Sequence, residues 1–93
     1  MSGYRLGAVE HHRRLRKIEG QVRGIQRMID DDRYCIDVLD QIAAVRHALD
    51  AVALGMVDDH VRHCVVEAAA ADADLAELRL TDALHAMRRL LRT

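Results

Sequence analysis

The sequence predicts an all-α fold, a three-helix protomer with a long central helix, and three observations carry that prediction. Helix-forming Ala, Leu, Arg and Met dominate the 93 residues, and no proline interrupts them. The only aromatic residues are Tyr4 and Tyr34, so the aromatic-rich runs that build strands are missing. Apolar residues recur at intervals of three and four in successive segments, the spacing of a buried helical stripe.

Helix one is expected from about Gly7 to Ile29, where Leu15, Ile18, Val22, Ile25 and Ile29 share one face. At 100° per residue these five gather into an arc of about 80°, and Arg13, Arg16, Lys17, Arg23 and Arg27 fall on the opposite side. Gly20 and Gly24 lie within the basic arc, where a missing side chain either admits a phosphate backbone or is simply tolerated. Asp30, Asp31 and Asp32 crowd the negative end of this helix, which places a break near Asp31 to Arg33. Helix two should run from about Tyr34 to Ala69 behind a nearly heptad-spaced seam of Val38, Ile42, Val45, Leu49, Val52 and Met56. At about 50 Å it is too long to stand alone in a small domain. After a joint at Ala68 to Ala73, helix three begins near Asp74, a capping carboxylate with Glu77 three residues on, and ends among Arg88, Arg89 and Arg92.

Residues 1–93 form a single domain, and a chain this short buries so little surface alone that oligomerisation is expected. Residues 5 to 29 hold seven Arg or Lys against Glu10 and Glu19, a balance of +5 that leaves −6 on the rest of a chain whose net charge is −1. Such segregation suits a nucleic-acid face, with a plain solvated helix surface as the other possibility. The longest run without charge, Ala51 to Val57, is far too short to span a bilayer, and no apolar leader follows the N-terminus. A cytoplasmic, non-membrane protein is expected, in which two cysteines serve as thiolates for a metal or for redox chemistry. Neither a glycine-rich phosphate cradle nor a nucleophile with a base and an orienting acid is visible, so no enzyme is expected.

Cys35, His60 and Cys64 carry the most chemical information. On one helix they point within about 20° of a common direction, yet Cys35 lies roughly 37 Å from His60 along the axis. One metal can join them only across two chains, with two copies of helix two packed antiparallel about a twofold axis near residues 48 to 49. Two thiolates and an imidazole are a soft set that favours copper(I), with zinc open if a fourth ligand joins. The other histidines, His11, His12, His47, His63 and His85, complete no such set and are expected mostly at the surface.

Tyr34-Cys35-x-Asp37-Val38-Leu39-x-Gln41-Ile42-x-Ala44-Val45, then Asp59-His60-x-x-x-Cys64, resembles the CsoR/RcnR family of metal- and thiol-responsive repressors. The segment Arg16-x-Ile18-Glu19-Gly20-Gln21-Val22-x-Gly24-Ile25-x-x-Met28-Ile29 is similar to the family's first helix. The resemblance implies an antiparallel helical dimer, usually a dimer of dimers (a homotetramer), that binds operator DNA in the apo form and releases it with effector. It also implies that Cys-His-Cys marks the copper(I) sensors. Nickel and cobalt sensors of the family would have histidine at the place of Cys64 and another near Gly3, and formaldehyde sensors an N-terminal proline. Tyr34 should lie behind the first cysteine, and an acidic residue is expected early in helix three, with Glu77 as nearest candidate beside Arg79 and Leu80. Phosphate contacts would come from Arg13, Arg14, Arg16, Lys17, Arg23 and Arg27. Two alternatives remain open: a repressor responding to persulfide or thiol oxidation through Cys35 and Cys64, and a copper-handling protein without DNA binding.

Overall fold

The computed structural model describes residues 4–91, so Gly3 and Arg92 fall outside it. A 3₁₀ turn, Arg5–Gly7, leads into α1, Ala8–Asp30. The second helix, α2, spans 35–71 in three consecutive segments: α-helical Cys35–Asp59, π-helical His60–Val65 and α-helical Val66–Ala71. The third, α3, is Ala73–Leu91. No strand occurs among the described residues.

Local hydrogen bonds explain both breaks. At the end of α1, Arg33 N–H donates to the Met28 carbonyl at 2.9 Å and Asp32 N–H to the Ile29 carbonyl at 3.1 Å. This pair of reversed bonds closes the helix and forces Asp32 into the left-handed region, φ 54°. A short polar side chain tolerates that conformation better than most. Tyr34 is extended at ψ 131°, and α2 starts at the next residue. At the second break Asp72 is extended, φ −160° and ψ 118°, while its N–H closes α2 on the Ala68 carbonyl at 2.7 Å. The Asp72 carboxylate accepts from Asp74 N–H at 2.9 Å. The cap of α3 is therefore Asp72 and not the expected Asp74. The helix begins one residue early enough for a side-chain oxygen at 72 to reach the second free N–H, which leaves Asp74 inside the first turn.

α1 packs antiparallel along the first part of α2, burying Ile18 against Val45 and Val52 with Ile25 and Ala48 alongside. α3 folds back on the π-helical turn and the last segment of α2, where the small buried residues Ala68 and Ala83 permit close approach. The molecule measures 57 × 27 × 12 Å. Its long dimension is the length of α2, about 55 Å at 1.5 Å per residue, and its short one is a single helix diameter. The radius of gyration, 17.3 Å, exceeds the roughly 12 Å of a compact chain this long. A layer one helix thick has no second layer to cover its face. Leu39, Leu49 and Leu54 accordingly remain 56%, 44% and 55% exposed.

Replacing Asp72 with alanine is expected to lower stability by about 1 kcal/mol through loss of the cap. Asp74→Ala, which removes only an acid from the first turn, is expected to cost about 0.5 kcal/mol or less. Denaturant melts at one fixed protomer concentration separate the two, and equal losses would restore Asp74 as the cap.

Candidate metal centre and nucleic-acid interface

Cys35 is the first residue of α2 and is exposed; Cys64 lies in the π-helical turn and is half-buried, and both thiols are free. His60 opens the π-helical turn. The structure therefore gathers His60 with Cys64 and leaves Cys35 at the far end of the helix. Among the described residues no three His, Cys, Asp or Glu side chains of one chain converge on a metal-sized site.

The seam predicted along α2 divides into two stripes. Relative to Cys35, Val45 and Val52 point about 80–100° away, whereas Leu39, Ile42 and Leu49 lie within about 40° of it. Burial follows this division: Val45 and Val52 are 9% and 4% exposed beneath α1, and Ile42 and Leu49 are 40% and 44% exposed. The exposed stripe thus shares its direction with Cys35. Arg46 projects from the same stripe into solvent.

The π-helical turn alters the spacing expected for His60 and Cys64. Val66 N–H donates to the Val61 carbonyl, a five-residue step. Residues four apart then fall short of a full turn, where an α-helix carries them past it. His60 Nε2 lies 2.8 Å from the main-chain oxygen of Arg79 in α3. A carbonyl can only accept, so Nε2 carries the proton and Nδ1 keeps a free lone pair. Glu77 is exposed, and its main-chain oxygen accepts from Thr81 Oγ at 2.9 Å. Tyr34 is 67% exposed beside Cys35. Next to His60 an open hollow of about 380 Å³ is lined by Met56, Val57, Ala83 and Ala86.

One residue expected at the surface is not there. His11 is 9% exposed, and its Nε2 lies 2.6 Å from Asp59 Oδ2. No periodicity within one sequence could pair positions 48 residues apart. His12, His47 and His85 are exposed as expected, and His63 is half-buried.

The six basic residues of α1 are all exposed, but they are not equally free. Glu10 receives Arg13 through two hydrogen bonds, of 2.9 and 2.6 Å, and Arg14 through one of 3.0 Å. Arg23 pairs with Glu19. Among the described residues Arg16, Lys17 and Arg27 make no ion pair. Hydrogen bonds from Arg13 and Arg14 hold the Glu10 carboxyl down at about 2, and Glu10 in turn raises Arg13 above its ordinary value. A depressed acid contributes above its unfolded value and is lost only as pH falls from 4.5 toward 2, so the clamp persists at any working pH.

A model of the metal-sensitive transcriptional repressor family matches residues 9–91. The chain belongs to this family. The copper-sensing transcriptional repressor RicR of Mycobacterium tuberculosis is 50% identical over 91 residues, covering 98% of this chain and 95% of that one. The copper-sensing transcriptional repressor CsoR of Bacillus subtilis is 58% identical over 55 residues, 59% of this chain and 54% of its own. Among solved structures, the copper-sensing repressor CsoR with Cu(I) from Geobacillus thermodenitrificans superposes with a TM-score of 0.81 at 37% identity, covering 89% and 84% of the two chains. The nickel-responsive transcriptional regulator InrS superposes at 0.74 with 41% identity, covering 88% and 90%. The described residues are helical without strands and superpose on those solved repressors, so the all-α expectation holds.

For a repressor of this family the Glu10 clamp predicts an effect on DNA affinity. Glu10→Gln frees Arg13 and Arg14, so duplex affinity should rise and the slope of log affinity against log salt should steepen by about 1 to 2. Fluorescence anisotropy of labelled duplex between low and moderate salt measures both, and an unchanged slope would place these arginines off the DNA.

Proposed function

We propose that this chain is a cytoplasmic copper(I)-responsive transcriptional repressor that binds operator DNA in its metal-free oligomeric form and releases it when copper(I) binds. What supports this is three soft donors along α2, which helical periodicity assigns to one side of it. Cys35 stands at one end and His60 with Cys64 near the other, and an exposed apolar stripe runs between them. Only a second copy packed antiparallel on that stripe brings Cys35 of one chain to His60 and Cys64 of the other. Symmetry then makes two identical sites per dimer, and a further pairing of dimers forms a homotetramer.

The donors fit the ion. Two thiolates and one neutral imidazole form a low-coordinate set suited to copper(I), which when bound supplies bonds that join two chains. His60 offers Nδ1 while keeping its Nε2 proton on the Arg79 carbonyl, so its ring is oriented before any ligand arrives. Cys35 and Cys64 must lose their protons to ligate, which makes affinity rise with pH. The Glu77 carboxylate and the Tyr34 hydroxyl would supply hydrogen bonds around the completed site. The names of RicR and CsoR support copper. Similar superposition on a nickel-responsive regulator means that the fold alone does not choose the metal; the two thiolates do. Arg13, Arg14, Arg16, Lys17, Arg23 and Arg27 would supply phosphate contacts, multiplied by oligomerisation and reading little base sequence.

Mixing tests the two-chain site directly. Cys35→Ser and His60→Ala chains should each lose at least about a hundredfold in copper(I) affinity. A heterodimer of the two regains one intact site, because the His60→Ala chain contributes Cys35 and the Cys35→Ser chain contributes His60 and Cys64. Anaerobic titration should therefore find half the wild-type sites in such heterodimers, and none would sink the shared centre. A His60→Ala protein whose operator response stayed complete would instead make thiol chemistry at Cys35 and Cys64 the signal. Leu49→Asp, in the middle of the exposed stripe, is expected to yield monomers by sedimentation and to abolish tight copper(I) binding with them.

A further inference from the structure

Most side-chain hydrogen bonds in the described structure join residues four or fewer apart, and two cross between helices. These two start from adjacent residues. Asp59, the last α-helical residue before the π-helical turn, takes His11 of α1 at 2.6 Å. His60, the first residue of that turn, holds the Arg79 carbonyl of α3 at 2.8 Å. A displacement of the backbone at 59–60 therefore acts on both flanking helices through polar ties as well as through packing.

His11 is seated in the middle of the apolar arc of α1, four residues before Leu15 and seven before Ile18, and is buried there. A Cβ at position 55 would stand 3.1 Å from His11 Cε1, and one at position 7 would stand 2.8 Å from His11 Nε2 and closer still to Asp59 Oδ2. Glycine at both positions is what makes room for the imidazole. Among the described residues His11 Nδ1 is buried without a hydrogen-bond partner, and the bond to Asp59 is the one polar contact that orients the ring. A buried nitrogen without a partner is destabilising, a cost that an apolar side chain in the same seat would not carry. Retaining histidine there gives α1 a directional link to Asp59 that an apolar side chain would not make.

We infer that His11 is a positioning residue, whose hydrogen bond to Asp59 couples ligand occupancy at His60 to the placement of the basic helix α1. The inference rests on the copper(I)-responsive reading above. Movement of His60 on ligation shifts Asp59, its chain neighbour, and Asp59 carries the first turns of α1 with it. Arg13, Arg14 and Arg16 follow His11 directly in that helix, so the phosphate-facing charges move as the tie moves.

The test measures copper(I) affinity by anaerobic chelator competition, and operator affinity with and without copper(I), on the full oligomeric protein. His11→Ala should keep copper(I) affinity within about threefold while the ratio of apo to loaded operator affinity falls by about tenfold or more. His11→Gln, whose amide can donate to Asp59, should restore most of that ratio; a merely structural role would show no such rescue. Hydrogen exchange in the wild-type protein supplies a second measurement, with copper(I) expected to change protection across residues 8–16. A wild-type protein whose operator affinity ignores copper(I) overturns the repressor reading itself. A responsive wild type with an unchanged ratio in His11→Ala, or with no change in exchange at 8–16, overturns the role of His11 alone.

Discussion

Helix α2 is as long as the molecule, and its straight run places soft donors near both ends of a surface that nothing in the same chain covers. A single helix cannot fold back to bring its ends together, so separation along the axis becomes a demand for a second chain. The same length sets the architecture. α1 can shield only the first part of α2 and α3 only the last, and both lie in the plane of the layer. One stripe of α2 is buried beneath α1, and the neighbouring stripe, rotated by a fraction of a turn, is left apolar and open. A half-covered central helix is thus the common origin of the protomer's shape and of its incomplete centre.

What the sequence made legible follows from periodicity. Helix extents emerge to within about two residues because apolar spacing and acidic breaks act locally. The division of the α2 seam was less visible, since Ile42, Val45, Leu49 and Val52 are all apolar and only the position of α1 decides which are covered. Capping at Asp72 escaped because several carboxylates compete near that joint, and which one caps depends on where the backbone turns extended. The π-helical turn at His60–Val65 has no marker in residue type, and it lies where α2 packs against α3. The His11 and Asp59 pair was illegible for the same reason. Contact between residues 48 apart is a property of how α1 lies on α2, whereas the burial of His11 follows from periodicity, which puts it with Leu15, Ile18 and Val22 on the apolar side of α1.

Charge on α1 needs the same distinction between sequence and arrangement. Six basic residues suggest one continuous field, yet the structure divides them into clamped and free. Exposed pairs of this kind contribute little to stability, because water screens them and long side chains lose freedom in forming them. Their larger consequence is for recognition. An arginine already shared with Glu10 must exchange partners to meet a phosphate, while Arg16, Lys17 and Arg27 need not. Against a duplex the free residues would set the nonspecific attraction, and the clamped ones would respond to whatever brings phosphate close enough to displace the carboxylate.

A centre split between two chains is well suited to sensing for an energetic reason. A ligand shifts a conformational equilibrium only by its difference in affinity between the states, however tightly it binds either one. When all donors belong to one rigid chain, the site is nearly the same in every oligomer arrangement, and that difference is small. In the proposed dimer, with Cys35 on one α2 and His60 and Cys64 on its neighbour, donor distances would depend on how the two helices lie against each other. Small slips along the apolar stripe then separate good coordination from poor. Because α1 is packed along α2 by Ile18, Val45 and Val52, its basic face follows each such slip. In that arrangement the relative position of two copies of α2 would be read twice, by the metal through its bond lengths and by DNA through the spacing of its phosphates.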